Sequence, residues 1–190
     1  MIPDWNLSGL LPPIRPGEQG HGSDRAPYIA SMSEVVNRFG TSAERNSILS
    51  GLLNYRMELY NLNIIDGFQW LDGSFMEDVE NLRNRPPNDI DVVTFFKLPD
   101  GVNQQELFDS SIVFSDNEFS KNTFFVDGYF MPLADSLEDW HVQQISYWYS
   151  MWSHTREQNW KGFIRVDLAP EQDVAARKIV EHMQQAEAGL

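Results

Sequence analysis

Cysteine is absent from the 190 residues, which excludes a disulfide framework and a thiolate nucleophile. No apolar run approaches the ~20 residues that a membrane-spanning helix needs. The N-terminal stretch MIPDWNLSGLLPPIRPGEQ lacks the basic start and apolar segment of a secretory leader. Together these absences lead us to expect a cytoplasmic protein. Histidine is sparse, and its four copies are scattered without metal-ligand spacing, so a zinc site is not expected. No Ser-His-Asp arrangement, phosphate-binding Walker loop or dinucleotide fingerprint is discernible.

Basic charge is also scarce. Fourteen Lys and Arg stand against 28 Asp and Glu, a net charge of −14. Binding to long nucleic acids needs a basic footprint that displaces phosphate counterions, and no such cluster is present. The acidity suits divalent cations, cationic small molecules, a basic protein partner, or solubility alone.

What the chain does have is apolar material, at 42% hydrophobic and 13% aromatic. That is enough for one core, and the length suits one domain. Residues 1–27 are rich in Pro and Gly and read as an extended arm, with Trp5, Leu10, Leu11 and Ile14 available to pack on the body. Residues 28–190 read as the domain. SMSEVVNRF is a short helix ending at Gly40. Residues 42–62 form one long helix, with Ile48, Leu49, Leu52, Leu53, Met57 and Leu59 as its apolar stripe and a capping box at Thr41 and Glu44. IIDGFQWLDGS and DIDVVTFF are strands. NQQELFDSS is a short helix, and KNTFFVDGYFMPL a further strand. An aromatic-rich helix starts at Ser136 and Asp139, WKGFIRVDLA is the last strand, and a helix covers 171–188. Interleaved helices and strands predict an α/β or α+β domain.

The chemistry concentrates between residues 68 and 96. Side chains alternate across a strand, so Asp89 and Asp91 share one face while Ile90 and Val92 point into the core. Like charges held close on rigid backbone invite a divalent cation, and hard cations such as Mg²⁺ take oxygen ligands. Asp127, in the apolar run FFVDGYF, offers a third carboxylate; an isolated buried charge is costly. Upstream, Gly73 permits close backbone approach. The amides and hydroxyl around Ser74 suit phosphate oxygens, aided by a helix dipole if a helix starts at Phe75.

LDGSF, then NDIDVV, then FFVDGYF is similar to the signature of the polymerase-beta-like nucleotidyltransferase superfamily over about residues 64–133. LPP, ERNSILSGLLNYR, GFQWLDGSF, PPNDIDVVTFF and WSHTREQNWKGFIRV extend the resemblance to a bacterial branch of small nucleotidyltransferase-like proteins. The resemblance implies a nucleotidyltransferase-like mixed β-sheet flanked by helices, with extra N- and C-terminal helices. It implies nucleotidyl transfer with Mg²⁺ or Mn²⁺, from a nucleoside triphosphate to an acceptor hydroxyl. Gly73 and Ser74 match the triphosphate-gripping turn, Asp89 and Asp91 the metal-binding pair, and Asp127 the third acid. Asp109, Asp116, Glu118 and Asp135 are rivals for that third place. The acceptor is a small molecule, a nucleotide or a protein side chain. Relatives of this kind modify antibiotics, act as antitoxins on a partner protein, or serve in phage defence. The alternative is a binding or regulatory module without turnover.

Further along, HTREQNWKG gathers His154, Arg156 and Lys161. Arg156 and Lys161 suit a substrate phosphate; equally, the three suit a helix C-terminus followed by a turn at Gly162. Trp140, Tyr147, Trp148, Tyr149 and Trp152 read as core or interface. Arg45 and Arg56, on the long helix, can pair with acids, and His141 reads as structural or exposed.

Overall fold

Strands form where β-branched and aromatic residues alternate across two faces, and here both faces become buried. The computed structural model describes residues 1–189. Its strands are β1 (Tyr28–Ile29), β2 (Gly67–Asp72), β3 (Ile90–Lys97), β4 (Val126–Leu133) and β5 (Ile164–Asp167). They make one mixed sheet in the order β1-β5-β2-β3-β4, with β2 antiparallel to both neighbours and β3 parallel to β4. The helices are α1 (Met32–Phe39), α2 (Ala43–Asn61), α3 (Val79–Arg83), α4 (Gln104–Asp109), α5 (Ile112–Ser115), α6 (Asn117–Phe124), α7 (Asp139–Trp152) and α8 (Pro170–Glu187). The fold is therefore a mixed α/β arrangement of the α+β kind. No helix among the described residues is long and apolar enough to cross a membrane.

Alternation along β3 explains the two-sided core. Ile90, Val92 and Phe96 pack with Leu49, Leu52 and Phe39 of α2 and α1, and with Val180 of α8. Val93 and Phe95 point the other way and pack with Trp70, Trp148, Trp152 and Phe163 beneath α7. Each such buried side chain contributes about 1.5–3 kcal/mol relative to exposure.

Residues 1–27 do pack on the body. Ile2, Leu10 and Leu11 are buried. Trp5 Nε1 donates to Met76 O at 2.7 Å, and the Asp78 and Gly162 amides donate to Gly9 O and Leu11 O. The arm leads into β1, which pairs with β5.

Several local expectations shift. The long helix is capped by Ser42, which accepts from the Arg45 amide, in place of a Thr41–Glu44 box; the complete box in this region is Ser31–Glu34, on α1. The α7 cap is Glu138, boxed with His141, rather than Ser136. The strand expected from Lys121 starts at Val126, because Lys121–Phe124 complete α6 and Phe125 ends it in the left-handed conformation.

Two buried arginines tie the layers. Arg56 of α2 binds Asp173 of α8 through Nε at 2.6 Å and Nη2 at 3.0 Å, and donates to Gln69 Oε1 and Asp167 O. Arg45 binds Glu80 through Nε at 2.6 Å, and donates to Phe75 O and Glu77 O, both at 2.7 Å. Arg45 thereby shapes the loop that follows β2. Both arginines thus pair with acids.

Candidate active site

Register brings acids together. Asp72, the last residue of β2, lies opposite Asp91 of β3, and Asp91 lies beside Asp127 of β4. Cross-strand partners in register share a face, so three carboxylates stand abreast over three adjacent strands. Asp89, two residues before Asp91, joins the same face. It is the face covered by α7.

Directly after Asp72 the chain turns. Gly73 has φ of 83° and ψ of −170°, a conformation reserved for glycine. A Cβ there would also overlap Asp91 Oδ2. Both demands make glycine obligatory at this turn. Ser74–Met76 form a single 3-10 turn, and α3 begins only at Val79. No α-helix starts at Phe75, so the condition for a helix dipole aiding the turn is not met.

A cavity of 530 Å³ opens on these groups. Gly73, Ser74, Asp89, Asp91, Asp127, Arg156 and Lys161 all line it, so the structure brings together the seven residues expected to form the site. Asp72, Glu77, Arg83, Arg85, Lys121, Tyr129 and His154 line it too. Five of the chain's 14 Lys and Arg thus converge on one concavity of a strongly acidic protein. The rivals Asp109, Asp116, Glu118 and Asp135 do not line it.

The floor is a buried ionic group. Lys161 Nζ, 5% exposed, lies 2.9 Å from Asp72 Oδ1 and 3.2 Å from Glu77 Oε1. Nζ approaches Asp72 off the favourable angle, so buried Oδ1 gains the cation's charge but no well-directed hydrogen bond. Burial pushes Asp72 up to about 7; Lys161 pulls it back and Asp91's charge adds to the rise. Burial also opposes the charge on Lys161, yet Asp72 and Glu77 outweigh it and hold its pKa above the usual lysine value. The partners pull against each other. Two carboxylates around one Nζ favour a charged lysine. Lys161 is thus engaged by protein acids and is not poised as a free phosphate clamp. Arg156, by contrast, is exposed on the rim. His154 Nδ1 lies 3.1 Å from Ser150 O at the end of α7, and its ring packs edge-on against Trp160.

Asp91 is pushed up to about 6, first by burial and then by the charges of Asp89 and Asp127. Asp127 is held from two sides. Asn117 Nδ2 donates to Oδ1 at 2.5 Å, and Lys121 Nζ lies 2.5 Å from Oδ2 and 3.7 Å from Asp89 Oδ2. The Tyr129 hydroxyl is raised to about 12 by burial and by its neighbour Asp127.

The family of unknown function DUF6932 matches residues 3–167 of this sequence. The chain belongs to that family. The match takes in residues 3–27 of the arm, the whole sheet and every residue that lines the cavity. No curated protein and no solved structure matches the chain.

The donor chemistry fits a hard divalent cation. The acids are all-oxygen donors, Asp91 is strained by like charge, and buried Asp72 Oδ1 lacks a directed partner. They are not a ready-made cage, however. Among the described residues no trio of acidic or imidazole groups is arranged to hold an ion, and the Lys121 ammonium lies between Asp89 and Asp127.

Asp72, Glu77, Lys121, Asn117 and Tyr129 were not anticipated. Asp72 had a readable signal: it ends a strand that pairs with the Asp89–Asp91 strand and directly precedes the glycine. Asn117 and Lys121 had none, because their helix was read as loop and strand. Of the aromatic cluster, Trp148 and Trp152 are core, while Trp140, Tyr147 and Tyr149 are exposed. His141 is buried, and its Nδ1 accepts from the Glu138 amide.

Proposed function

We propose that this protein is a metal-dependent nucleotidyltransferase of polymerase-beta-like type. It transfers a nucleoside monophosphate from a nucleoside triphosphate to an acceptor hydroxyl. The observation that carries the reading is the row Asp72–Asp91–Asp127 across three strands, ending at the Gly73-Ser74 turn inside one cavity. Residues far apart in the chain meet around one cavity of 530 Å³ lined by both acids and cations.

The acceptor oxygen attacks the α-phosphorus, the bond to the bridging oxygen breaks, and pyrophosphate leaves. The hydroxyl proton passes to the acid row, with Asp127 the receiving group. Ser74 and the backbone around it grip phosphate oxygens, and Arg156 adds a bidentate cation from the rim. Asp89, Asp91 and Asp127 would hold Mg²⁺ or Mn²⁺. Bound there, the metal supplies Lewis-acid activation and neutralises phosphate charge. The chain's own part is positioning, and ordering the reactants accounts for much of such an enzyme's advantage. The acceptor class is a small molecule, a nucleotide or a protein side chain.

A second reading draws on Lys121 and Lys161. Both already neutralise acids of the site, as suits a nucleotide-binding or antitoxin-like module without turnover. One experiment separates the two. The protein is incubated with each α-labelled triphosphate, Mg²⁺ or Mn²⁺, and cell extract as acceptor source. Transfer with pyrophosphate release, lost in an Asp89→Asn, Asp91→Asn double variant, is expected. Metal-dependent nucleotide binding without pyrophosphate favours the binding module. Equal transfer by the double variant overturns the mechanism.

A further inference from the structure

The acid row already carries a cation of its own. Lys121 belongs to α6, one turn after Asn117 (i, i+4), so both side chains project from one side of the helix. Asn117 fixes the third acid: its Nδ2 donates to Asp127 Oδ1 at 2.5 Å, and its Oδ1 accepts from the Gly128 amide at 2.9 Å. The helix itself is pinned against α2, because a Cβ at Gly51 would enter the Phe124 carbonyl. That leaves Asp127 Oδ2, and Lys121 Nζ sits on it while spanning towards Asp89 Oδ2 at 3.7 Å. Two like-charged side chains are thus bridged by one ammonium.

The two holders of Asp127 differ in kind. Asn117 is short and directed. Lys121 is 40% exposed on a flexible four-carbon stem and holds a point charge without fixed geometry. An ammonium of this sort can swing into solvent at small cost, whereas the amide stays with its acid.

We propose that Lys121 is a displaceable internal counter-ion, a positioning residue that neutralises Asp89 and Asp127 until a divalent cation takes its place. This rests on the reading of Asp89, Asp91 and Asp127 as the cation site. The ammonium keeps the acids from repelling each other in the resting protein and weakens cation binding by the free protein. When a triphosphate arrives with the cation, the released Nζ, already in the lining of the cavity, is free to pair with phosphate oxygens. Cation and nucleotide are then favoured together over the cation alone.

The test measures Mn²⁺ binding to the full chain without nucleotide, by the electron paramagnetic resonance of free Mn²⁺. Removing a unit charge a few ångströms from the ion corresponds to about tenfold in affinity in a well-solvated site. Lys121→Met is expected to bind Mn²⁺ about tenfold more tightly than wild type. Lys121→Arg, which keeps the charge, is expected to stay near wild type. Asp91→Asn is expected to abolish the site in every background. Adding a non-hydrolysable triphosphate should tighten Mn²⁺ binding less in Lys121→Met than in wild type. A merely structural lysine would give the opposite sign, with Lys121→Met binding Mn²⁺ more loosely; that result, or no change, overturns the proposal. Absence of Asp91-sensitive Mn²⁺ in wild type and all variants overturns the cation-site reading and this proposal with it. Tight binding by wild type with unchanged Lys121→Met ends this proposal alone.

Discussion

Asp91 lies beside Asp127 in the parallel register of β3 and β4, and its other neighbour in the sheet is Asp72. A strand flanked on both sides by acids at one level is electrostatically uncomfortable, and the protein answers it with Lys161 at one end and Lys121 at the other. The expected behaviour of variants follows from that tension.

Asp91 has a folded pKa raised to about 6, by burial and then by Asp89 and Asp127. A group raised in this way contributes stability below its unfolded value, and the contribution is lost as pH rises through the folded value. The cation-free protein therefore loses stability between about pH 4 and pH 7 on account of Asp91. Asp91→Asn should remove that loss, raising unfolding free energy by roughly 1–3 kcal/mol at pH 7.5 and little at pH 4. Urea titrations at the two pH values check this; a destabilised variant at pH 7.5 would contradict it.

Gly73→Ala should be costly in two ways. Its backbone conformation costs a residue with a Cβ about 1–3 kcal/mol, and the methyl group would press on Asp91. Lower stability in chemical unfolding and a weaker response to Mn²⁺ are expected together. Wild-type values for both would show that the turn relaxes freely.

Arg45 is fully buried and holds both Glu80 and two loop carbonyls. Arg45→Met should lower stability by about 2–4 kcal/mol, since buried acceptors lose their donor. Hydrogen exchange should quicken first at residues 74–80. Uniform acceleration across the sheet would mean that the arginine supports the whole fold and not this loop.

Ser74→Ala and Arg156→Ala should spare the fold and weaken triphosphate affinity. Loss of one charge-assisted hydrogen bond corresponds to roughly tenfold for Arg156. Lys161→Met should behave differently, losing stability near neutral pH because Asp72 and Glu77 are left buried without their cation. Calorimetric titration with a non-hydrolysable triphosphate, paired with thermal melts, separates the two classes; an unfolded Arg156→Ala would count against a role at the rim.

Much of this was readable in advance. The apolar residues from Ile48 to Leu59 announce α2 to within a residue at each end, but not its surroundings: Met57 of that stripe is exposed, while Arg45, Asn46 and Arg56 are buried. The strand expected over residues 89–96 is equally plain and is found one residue later, at Ile90–Lys97, with Asp89 just before it and still lining the cavity beside Asp91. The α6 segment was not readable. KNTFF has the aromatic and β-branched character of a strand, yet Asp116 caps a helix there and Phe125 ends it with a positive φ of 56°, where no glycine signals the stop. The two-residue β1 is set by pairing with β5, a partner far away in the chain. Lys161 looked available for phosphate because its burial between Asp72 and Glu77 depends on a loop held by Arg45 from another helix.

The first dozen residues brace the working end of the sheet. Trp5 hangs on Met76, Gly9 receives the Asp78 amide, and Leu11 receives the Gly162 amide next to Lys161. A protease that nicks this stretch, or a trimmed chain that begins after it, would slacken the loops on either side of the cavity while α2 and the central strands stayed folded. Such a fragment would look healthy by circular dichroism while the rim of the cavity had lost its shape.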